Sequence, residues 1–411
     1  MSRSLPDGWL QESLEYFAEI NPRLTNRNLL ENETEVSFFK MEDVSNQAKI
    51  INRNIRRYGE VSKGFTCFQN EDVLVAKITP CFENGKGAYV DRLVNGVGFG
   101  STEFHVLRAK KNAHPRFIYH FTNYQTFRMQ GESNMTGSAG QRRVPTDFFR
   151  TYHGIFPPAE EQQKIASILT AVDEVIASTT AQINKLKDLK TGMMQELLTK
   201  GIGHTEFKDS PVGRIPKAWT FKAVGDICKV TSGGTPDRTN LEFWNGNIPW
   251  IKTGEINYTT IYSAEEYITE LGLKNSSTKL IPAGSVLMAM YGQGITRGKV
   301  ALLGIDACLN QACLAMLPNN ELDKYFLFYF FSKEYENLRL LVQEGTQKNL
   351  NAGIVKEILL PLPPMDEQVE IRKRLQAVDI NIESKQRKLE IVVDLKKALM
   401  QDLLTGNVRV P

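Results

Sequence analysis

The sequence predicts an α+β protein built from two globular domains and two long helices, arranged as an internal repeat with a pseudo-two-fold axis. First, 411 residues exceed what one ordinary hydrophobic core holds together. Second, the segment 157–199 recurs 206 positions later as 363–405, with 19 of 43 residues identical and no gap. Third, short β-rich runs separated by glycine-rich turns precede each copy, together with helical stretches. The runs predicted as strands are "EVSFFKM", "DVLVAKI", "GSVLMAM" and "KVALLGI".

Composition points to a globular protein that stays in the cytosol. Hydrophobic residues make up 41% and charged residues 24%, and no apolar run approaches the roughly 20 residues that a membrane span needs. The start of the chain shows no signal-peptide pattern. Five cysteines without a CxxC pair and five scattered histidines argue against a disulfide framework or a metal site. A net charge of +3 means that nucleic-acid binding would rely on local patches.

Each copy of the repeat has the 4-3 apolar spacing of a coiled-coil seam. The predicted seam residues are Ile165, Leu169, Val172, Ile176, Ile183 and Leu186, and in the second copy Ile371, Leu375, Val378, Ile382, Leu389 and Val392. Further along, Lys190 and Lys396 fall on the seam, and we expect Leu189 and Leu395 to take over beside them.

The ends of both helices are marked in the sequence. A double proline followed by acidic residues suits a helix start, and glycines in "TKGIG" and "TGNVR" predict the stops. Glu161 and Gln162 recur as Glu367 and Gln368. These polar residues either cap the helix start or contact a domain or partner, and capping is the favoured interpretation.

A helix of about 40 residues is roughly 60 Å long and needs a partner for its apolar seam. The other copy is the obvious partner. Because the first helix leads into the second domain and the second helix follows that domain, pairing within the chain makes the helices antiparallel. The alternative is parallel self-association of two chains in a homodimer. The predicted boundaries are a first domain at 1–155, a central helix at 156–203, a second domain at 204–361 and a C-terminal helix at 362–411.

The two globular domains echo one another more faintly. "LPDGW" from Leu5 matches "IPKAW" from Ile215, and "VSFFKMEDV" matches "IPWIKTGEI" around Lys40 and Lys252. Gly85-Lys86 aligns with Gly298-Lys299. The loops differ, however: "NIRRYGEVSKG" has no counterpart in the second half, and "GGTPDRTNLEFWNG" has none in the first. Shared scaffolds with divergent loops indicate two binding sites of one kind with different targets.

Motifs that would carry catalysis are missing from the sequence. It contains no P-loop, no GxGxxG after a strand, no HExxH, no GxSxG and no Asn/Asp-Pro-Pro-aromatic run typical of an amino-methyltransferase. We therefore expect a non-catalytic chain.

A double "PPxxEQ" start, long helices ending in "QELLTKG" and "LMQDLLTGNVRV", and a variable domain before each together resemble the specificity subunit of type I restriction-modification enzymes. "GGTPDRTNLEFWNGNIPWIKTGEI" looks like the opening of a target recognition domain, and "LNQACLAML" looks like its later strand. The resemblance covers nearly the whole chain, although the first half lacks the "GGTP" segment.

The resemblance implies two target recognition domains that each read one half of a bipartite DNA site in a restriction system. The paired helices would set the spacing and dock two adenine-methylating modification subunits, and two restriction subunits that translocate and cut DNA could join. The resemblance implies no cofactor in this chain: S-adenosylmethionine would be bound by the modification subunit, and ATP and Mg²⁺ by the restriction subunit. Double-stranded DNA is the expected ligand, and no membrane is involved.

Loop residues able to contact bases or phosphates are the candidate DNA-binding residues. They are Lys77, Thr79, Lys86, Arg142 and Arg143 in the first half, and Thr235, Lys252, Arg297, Lys299, Lys348 and Asn349 in the second. Lys86 and Lys299 recur in both halves, so we assign them to phosphate positioning, whereas Lys77 lacks a basic counterpart and is a candidate for base choice. Two other functions stay open: a stand-alone nucleic-acid enzyme with an unrecognised site, and a protein-binding scaffold with two peptide-reading domains.

Overall fold

The computed structural model describes residues 5–25, 30–138, 140–291, 295–343 and 350–410. The chain forms two compact units, unit 1 (Met1–Thr180 with Arg387–Pro411) and unit 2 (Ala181–Gln386). These units divide each long helix between them, whereas the boundaries predicted from the sequence keep each helix whole. Those boundaries stay a prediction. No helix within the described residues is long and apolar enough to cross a membrane.

Unit 1 is built around two four-stranded sheets, ordered β2-β9-β6-β7 and β4-β3-β8-β5, and a small β1-β10 ribbon. Its strands are β1 (Leu10–Ser13), β2 (Ala18–Ile20), β3 (Glu35–Phe39), β4 (Asn54–Arg57), β5 (Thr66–Gln69), β6 (Val73–Ala76), β7 (Gly87–Tyr89), β8 (Val97–Gly100), β9 (Phe104–Ala109) and β10 (His153–Phe156). Its short helices are α1 (Leu14–Phe17), α2 (Tyr58–Val61), α3 (Pro115–Thr122), α4 (Gln125–Ser133) and α5 (Thr146–Thr151).

Apolar residues of the sheets and of α3 form the main core of unit 1. The central strand β6 is buried along its whole length, as its "VLVA" sequence predicts for a strand covered on both faces. Phe117 and Phe121 of α3 pack with Phe156 of β10 in this core. The first long helix, α6 (Ala159–Lys200), starts directly after β10, and its Ile165 and Leu169 join the same cluster.

Unit 2 repeats this design with a five-stranded sheet, β14-β21-β18-β19-β16, and a three-stranded sheet, β17-β15-β20. Two ribbons, β11-β12 and β13-β22, complete it. Its strands are β11 (Phe207–Ser210), β12 (Gly213–Pro216), β13 (Thr220–Ala223), β14 (Cys228–Ser232), β15 (Trp244–Ile251), β16 (Thr260–Ile261), β17 (Glu266–Ile268), β18 (Val286–Ala289), β19 (Val300–Leu303), β20 (Cys308–Leu309), β21 (Cys313–Pro318) and β22 (Leu359–Leu362). Its helices are α7 (Val224–Ile227), α8 (Glu270–Lys274), α9 (Lys324–Lys333), α10 (Tyr335–Gln343), α11 (Ala352–Glu357) and the long α12 (Met365–Leu404).

The strand pairings show that the two units share one topology. In unit 1, β3 is paired in parallel with β8 and antiparallel with β4. In unit 2, β15 is paired in parallel with β20 and antiparallel with β17. The α+β class and the internal repeat predicted from the sequence are therefore confirmed, and so are the strands predicted in "EVSFFKM", "DVLVAKI", "GSVLMAM" and "KVALLGI".

The two long helices run antiparallel to each other within each unit. In unit 1, Ile165 and Leu169 of α6 pack in one core with Met400, Leu403 and Leu404 of α12. Further into α6, Asp173 meets Lys396, which lies nearer the start of α12. In unit 2, the repeat counterparts Ile371 and Leu375 share a core with Met194, Leu197 and Leu198. Both helices end next to a glycine with positive φ, Gly201 at 68° and Gly406 at 69°, a conformation that glycine adopts without strain.

All the predicted seam residues are buried or half-buried. The buried seam residues are Ile165, Leu169, Ile183, Ile371, Leu375, Val378 and Ile382, and the half-buried ones are Val172, Ile176, Leu186, Leu389 and Val392. The expectation for Leu189 and Leu395 is wrong, because these side chains are 51% and 50% exposed. Lys190 and Lys396 occupy the inward positions instead, because each finds an aspartate partner on the other helix.

Candidate nucleic-acid interface

Four of the five candidate DNA-binding residues in unit 1 lie together. The backbone N–H of Thr79 donates to the carbonyl of Arg142 over 2.9 Å, and the N–H of Val144 donates to the carbonyl of Lys77 over 2.9 Å. An isolated antiparallel bridge joins Ile78 to Arg143. These bonds hold the loop after β6 against the loop before α5, so that Lys77, Thr79, Arg142 and Arg143 occupy one surface.

Carboxylates hold both arginines of this surface. Arg143 forms a forked pair with Glu103, with Nη2 2.9 Å from Oε1 and Nε 3.0 Å from Oε2. The hydrogen bond from Arg143 lowers the pKa of the Glu103 carboxyl, and the same bond raises the pKa of the Arg143 guanidinium, so both groups stay charged. Arg142 lies 3.7 Å from Glu83, whose side chain also accepts a hydrogen bond from the Thr79 hydroxyl. Neither Glu83 nor Glu103 lies in a recognisable sequence motif, so neither was predicted from the sequence.

The fifth candidate, Lys86, extends its side chain toward a different loop. Its Nζ donates to the carbonyl of Met41 over 3.0 Å, in the 3₁₀ turn Met41–Asp43 that follows β3. The aligned lysine of unit 2 behaves alike, because Lys299 Nζ donates to the Asn257 side chain over 2.8 Å, shortly after the turn Thr253–Glu255. The two lysines that the sequence aligned therefore brace the same loop in both units.

In unit 2, Lys252 is the centre of a cluster of charged side chains. Its Nζ lies 2.8 Å from Glu265 and 2.9 Å from Glu266. Hydrogen bonds to these two carboxylates raise the pKa of Lys252 to about 12. Burial acts to raise the pKa of Glu266, but hydrogen bonds from Arg238 and Lys252 outweigh it and leave that pKa below its usual value. Lys252 and Glu266 are therefore both charged at neutral pH.

Arg238 is a residue of this cluster that sequence reasoning did not select. Its guanidinium lies over the rings of Trp244 and Trp250, with Cζ 3.9 Å and 4.8 Å from the two ring centroids, and it also pairs with Glu266. The indole N–H of Trp250 donates to the carbonyl of Gly234 over 3.0 Å, which fixes the glycine loop beneath this stack. A signal was available, because Arg238 lies in "GGTPDRTNLEFWNG", the segment without a counterpart in the first half.

The other candidates of unit 2 have different partners from Lys252. Thr235 donates its hydroxyl proton to the Gln311 side chain, and Arg297 and Lys299 flank Gly298 next to α10. Lys348 and Asn349 lie outside the described residues. Within the described part of the chain, no group of three or more histidine, cysteine, aspartate or glutamate side chains could hold a metal ion.

The repeated glutamates at the helix starts fasten each long helix to its globular domain. In unit 1, Glu161 accepts a hydrogen bond from the indole of Trp9 over 3.1 Å and a forked pair from Arg409 at 2.8 and 2.9 Å. In unit 2, Glu367 accepts from the indole of Trp219 over 2.8 Å and contacts His204 at 2.9 Å.

The repeated glutamines complete each junction. Gln162 binds the backbone N–H of His114 and the carbonyls of Asn112 and Pro157. Gln368 makes the corresponding bonds to Asp323, Glu321 and Pro363. The favoured capping interpretation is therefore wrong, and the alternative that these residues contact the domain is confirmed. Glu161, Gln162 and Gln368 are buried and Glu367 is half-buried, and their satisfied hydrogen bonds fix the angle at which each helix leaves its domain.

The arrangement suits recognition of a nucleic acid, which presents both phosphates and the hydrogen-bonding edges of its bases. Arginine forks held by carboxylates are pre-oriented donors for guanine, glutamates accept from amino groups of cytosine, and lysines reach phosphates. Each unit presents such a set on loops between strands, which are positioned by a rigid sheet scaffold.

Comparison with known proteins agrees with the repeated fold. Residues 6–188 and 216–393 each match the model of the type I restriction modification DNA specificity domain. The chain belongs to this family, and the resemblance seen in its sequence is confirmed.

Named relatives are specificity subunits. The putative type I restriction enzyme MjaX specificity subunit of Methanocaldococcus jannaschii is 31% identical over 258 residues, which cover 62% of this chain and 59% of that protein. The EcoAI specificity subunit of Escherichia coli is 43% identical over 164 residues, which cover 39% of this chain and 27% of that protein. The matches thus span less than two thirds of these two relatives. The crystal structure of the S subunit from M. genitalium is similar in fold, with a TM-score of 0.60, 14% identity and 98% of each chain covered.

Proposed function

We propose that this chain is the DNA sequence-specificity subunit of a type I restriction-modification complex. Unit 1 reads one half of a bipartite DNA site and unit 2 reads the other. The main support for the proposal is the repeated specificity domain. Each copy has the same scaffold, but its loops differ and place paired cationic and carboxylate side chains at the surface. Two domains that share a scaffold but differ in their loops can recognise two different half-sites.

The candidate contacts divide into two kinds. Lys86 and Lys299 contact phosphates, and their bonds to the loops at Met41 and Asn257 support that positioning role. Lys77, Thr79, Arg142 and Arg143 of unit 1, and Thr235, Lys252, Arg297, Lys348 and Asn349 of unit 2, contact base edges or the adjoining backbone.

The long helices set the distance between the half-sites as an antiparallel coiled coil. The predicted apolar seam would hold the two helices together. The antiparallel course of the helix segments within each unit supports this spacing role. The domain boundaries at 155, 203 and 361 follow from the same assignment, with each whole helix acting as a spacer.

The helices also dock two adenine-methylating modification subunits. Support comes from apolar side chains that remain exposed on both helices of each unit: Val175, Ile391 and Leu395 in unit 1, and Leu189 and Ile380 in unit 2. Apolar residues left in water on a helix favour burial against another protein. The modification subunits supply S-adenosylmethionine and the methyl transfer, and restriction subunits that use ATP and Mg²⁺ complete the complex in the cytoplasm. This chain contributes no catalytic group.

Co-expression with the adenine methyltransferase subunit, followed by mapping of methylated adenines on genomic DNA, tests the proposal. The expected result is a bipartite motif with a fixed unspecified gap. A continuous motif, or methylation by the methyltransferase subunit without this chain, would contradict it.

A second experiment tests the spacing role of the helices. Seven residues of helical sequence are inserted after Thr180 and after Gln386 together, at the boundaries between the units. Seven residues add about 10 Å of helix, which corresponds to about 3 base pairs of DNA. The gap in the methylated motif should widen by that amount, and an unchanged gap would show that the helices do not set the spacing.

A further inference from the structure

Each unit has a surface cavity at the same place in its topology. In unit 1 a cavity of about 500 Å³ lies beside β3 and β4 and is lined by Phe38, Lys40, Met41, Arg56, Val61 and Phe65, among others. We name it the Lys40 pocket. In unit 2 a cavity of about 380 Å³ lies beside β15 and β17 and is lined by Arg238, Trp244, Glu265, Glu266 and Tyr267, among others. We name it the Glu266 pocket.

The two pockets lie at corresponding strand pairs, but their lining residues occupy different positions along the strands. The Lys40 pocket lies at the antiparallel pair β3-β4, and the Glu266 pocket lies at the corresponding antiparallel pair β15-β17. Both central strands end at a lysine whose backbone N–H donates to an acidic side chain three residues later, Lys40 to Asp43 over 2.7 Å and Lys252 to Glu255 over 2.8 Å. The scaffold is thus shared, and the lining side chains differ.

Both pockets adjoin the candidate DNA interface of their own unit. Lys86, a proposed phosphate contact, donates to the carbonyl of Met41 in the lining of the Lys40 pocket. Ser101 also lines that pocket, two residues before the Glu103 that holds Arg143. In unit 2 the link is direct, because Lys252 pairs with both Glu265 and Glu266. Both pockets therefore lie next to residues that the proposed function assigns to DNA contact.

The Lys40 pocket has an apolar floor. The rings of Phe38 and Phe65 meet edge to face with centroids 5.0 Å apart, and Phe65 is exposed. Val61 and Met41 add aliphatic surface, while Arg56 and Lys40 at the rim are paired with Glu60 and Glu42. In the major groove, the C5-methyl group of thymine is the apolar feature that such a surface accepts.

The Glu266 pocket has the opposite chemistry. Its Glu266 carboxylate is held between Arg238 and Lys252, and Arg238 is stacked on Trp244. A fixed, ionised carboxylate accepts hydrogen bonds from the exocyclic amino groups of cytosine or adenine and repels the acceptor edges of guanine and thymine. Because Glu266 is part of a rigid array, its acceptors are oriented before DNA arrives.

We propose that the Lys40 pocket and the Glu266 pocket are base-reading pockets, the first selecting a thymine methyl group and the second an amino-bearing base, and that this difference makes the two half-sites unlike. The inference rests on the proposed function, since it assigns base choice to a site within each reader. It adds Phe65, Glu266 and Arg238 to the residues that determine specificity.

The test uses the complex of the full chain with its methyltransferase subunit and a DNA library that is randomised at each position of the wild-type motif. Phe65→Ala should reduce the preference for thymine at one position of one half-site by about tenfold. Glu266→Gln should reduce the preference for cytosine or adenine at one position of the other half-site by a similar factor. Each variant should leave the opposite half-site unchanged.

Control variants at exposed sites away from the pockets remove a large apolar side chain in unit 1 and make the same Glu-to-Gln change in unit 2. Met129→Ala in unit 1 and Glu206→Gln in unit 2 should leave both half-sites unchanged. Because the loss of Glu266 could loosen β17, Arg238→Gln offers a second variant on an exposed loop and should alter the same base position.

The outcomes distinguish failure of the proposed function from failure of the pocket assignment. If the wild-type complex gives no bipartite motif, the proposed function fails. If the wild type gives one but the pocket variants lower methylation of every sequence equally, or alter both half-sites, the pockets do not read bases. A change confined to one position of one half-site supports the inference.

Discussion

The ammonium group of Lys396 lies 2.7 Å from a carboxylate oxygen of Asp173. The repeat counterparts make the same contact, with Lys190 2.6 Å from Asp379. Each aspartate also faces a side chain of its globular domain, since His120 lies 3.9 Å from Asp173 and the Tyr329 hydroxyl donates to Asp379 over 2.7 Å. Within each unit, one aspartate therefore links both long helices to the domain.

Loss of this link should destabilise the protein. Lys396 and Asp173 are only 21% and 14% exposed, so Lys396→Met leaves a largely buried carboxylate without its partner. We expect the free energy of unfolding to fall by about 1–3 kcal/mol. A double-mutant cycle with Asp173→Asn, measured by urea denaturation, should give a coupling energy of about 1 kcal/mol.

The matched control is Lys397→Met, one residue further along the same helix. Lys397 pairs with Asp394, but both side chains are more than 70% exposed, at 72% and 74%. Its loss should change stability by no more than about 0.5 kcal/mol. Equal effects of Lys396→Met and Lys397→Met would show that the inward pair is not a link.

The junction at Glu367 gives a second stability prediction. Its carboxylate accepts from Trp219 and contacts His204, and it is largely buried. Glu367→Ala should cost about 2–3 kcal/mol because it leaves the indole N–H without an acceptor. Glu367→Gln should cost less, since an amide oxygen still accepts that bond. Equilibrium urea denaturation followed by far-ultraviolet circular dichroism measures both effects.

Glu370→Ala is the control for this junction. Glu370 lies one turn further along α12, is 46% exposed and pairs with Arg374. Its replacement should leave the unfolding midpoint nearly unchanged. If Glu367→Ala and Glu370→Ala shift the midpoint equally, the indole bond adds nothing to stability.

The repeat and its helices could be predicted because their signals are local or self-similar. The spacing of Ile165 and Leu169 predicts the buried face of α6, and the copy at Ile371 and Leu375 confirms that the pattern has one cause. Even Lys190 and Lys396 were placed on the seam. Their partners were not predicted, because pairing with Asp379 and Asp173 depends on the antiparallel register, which the apolar pattern alone does not define.

The carboxylates of the candidate interface could not be predicted for a different reason. Glu266 meets Arg238 across 28 residues of chain, through a β15-β17 pairing whose register shifts between Trp244 and Ile248. Such an irregularity leaves no periodic trace in sequence. Glu103 likewise reaches Arg143 across 40 residues. Arg143 and Lys252 were selected because a cation in a glycine-rich loop is recognisable by itself. Arg238 was not selected, and the acidic partners of these cations are defined only by the fold.

Buried histidines should make unit 1 sensitive to mild acid. Burial lowers the pKa of His105 to about 4 and that of His120 to about 3. In the unfolded chain both titrate near pH 6.5, so below that pH the unfolded state binds protons that the folded state does not. The stability that the two neutral histidines contribute is therefore fully present above pH 6.5 and is lost progressively as the pH falls toward 4.

At pH 5.5 each histidine should account for a loss of about 1.4 kcal/mol relative to pH 7.5. Urea denaturation at the two pH values measures this difference. His120→Gln should be less stable than the wild type at pH 7.5 and yet show a smaller loss on acidification, whereas an equal loss would mean that His120 is not responsible. His153→Gln, at an exposed histidine, is the control for loss of an imidazole and should change stability at pH 7.5 by no more than about 0.5 kcal/mol.

Substitution of Arg143 should separate base reading from charge in the proposed complex with a methyltransferase subunit. The forked pair with Glu103 orients the guanidinium in one plane, which suits two bonds to the O6 and N7 atoms of guanine. Arg143→Lys keeps the positive charge but loses the fork. It should therefore cost about 1–3 kcal/mol of discrimination at one guanine and leave the salt dependence of DNA binding unchanged.

Arg143→Ala removes the charge as well and should lower the slope of log K against log salt by about one. Binding titrations at several salt concentrations, together with methylation of a library randomised at that guanine, measure both effects. Arg92→Gln, at an arginine whose side chain is 83% exposed in the same unit, is the control and should change neither. If Arg143→Lys weakens methylation of all library members alike, Arg143 contacts the DNA backbone, and its pairing with Glu103 serves only to place a charge.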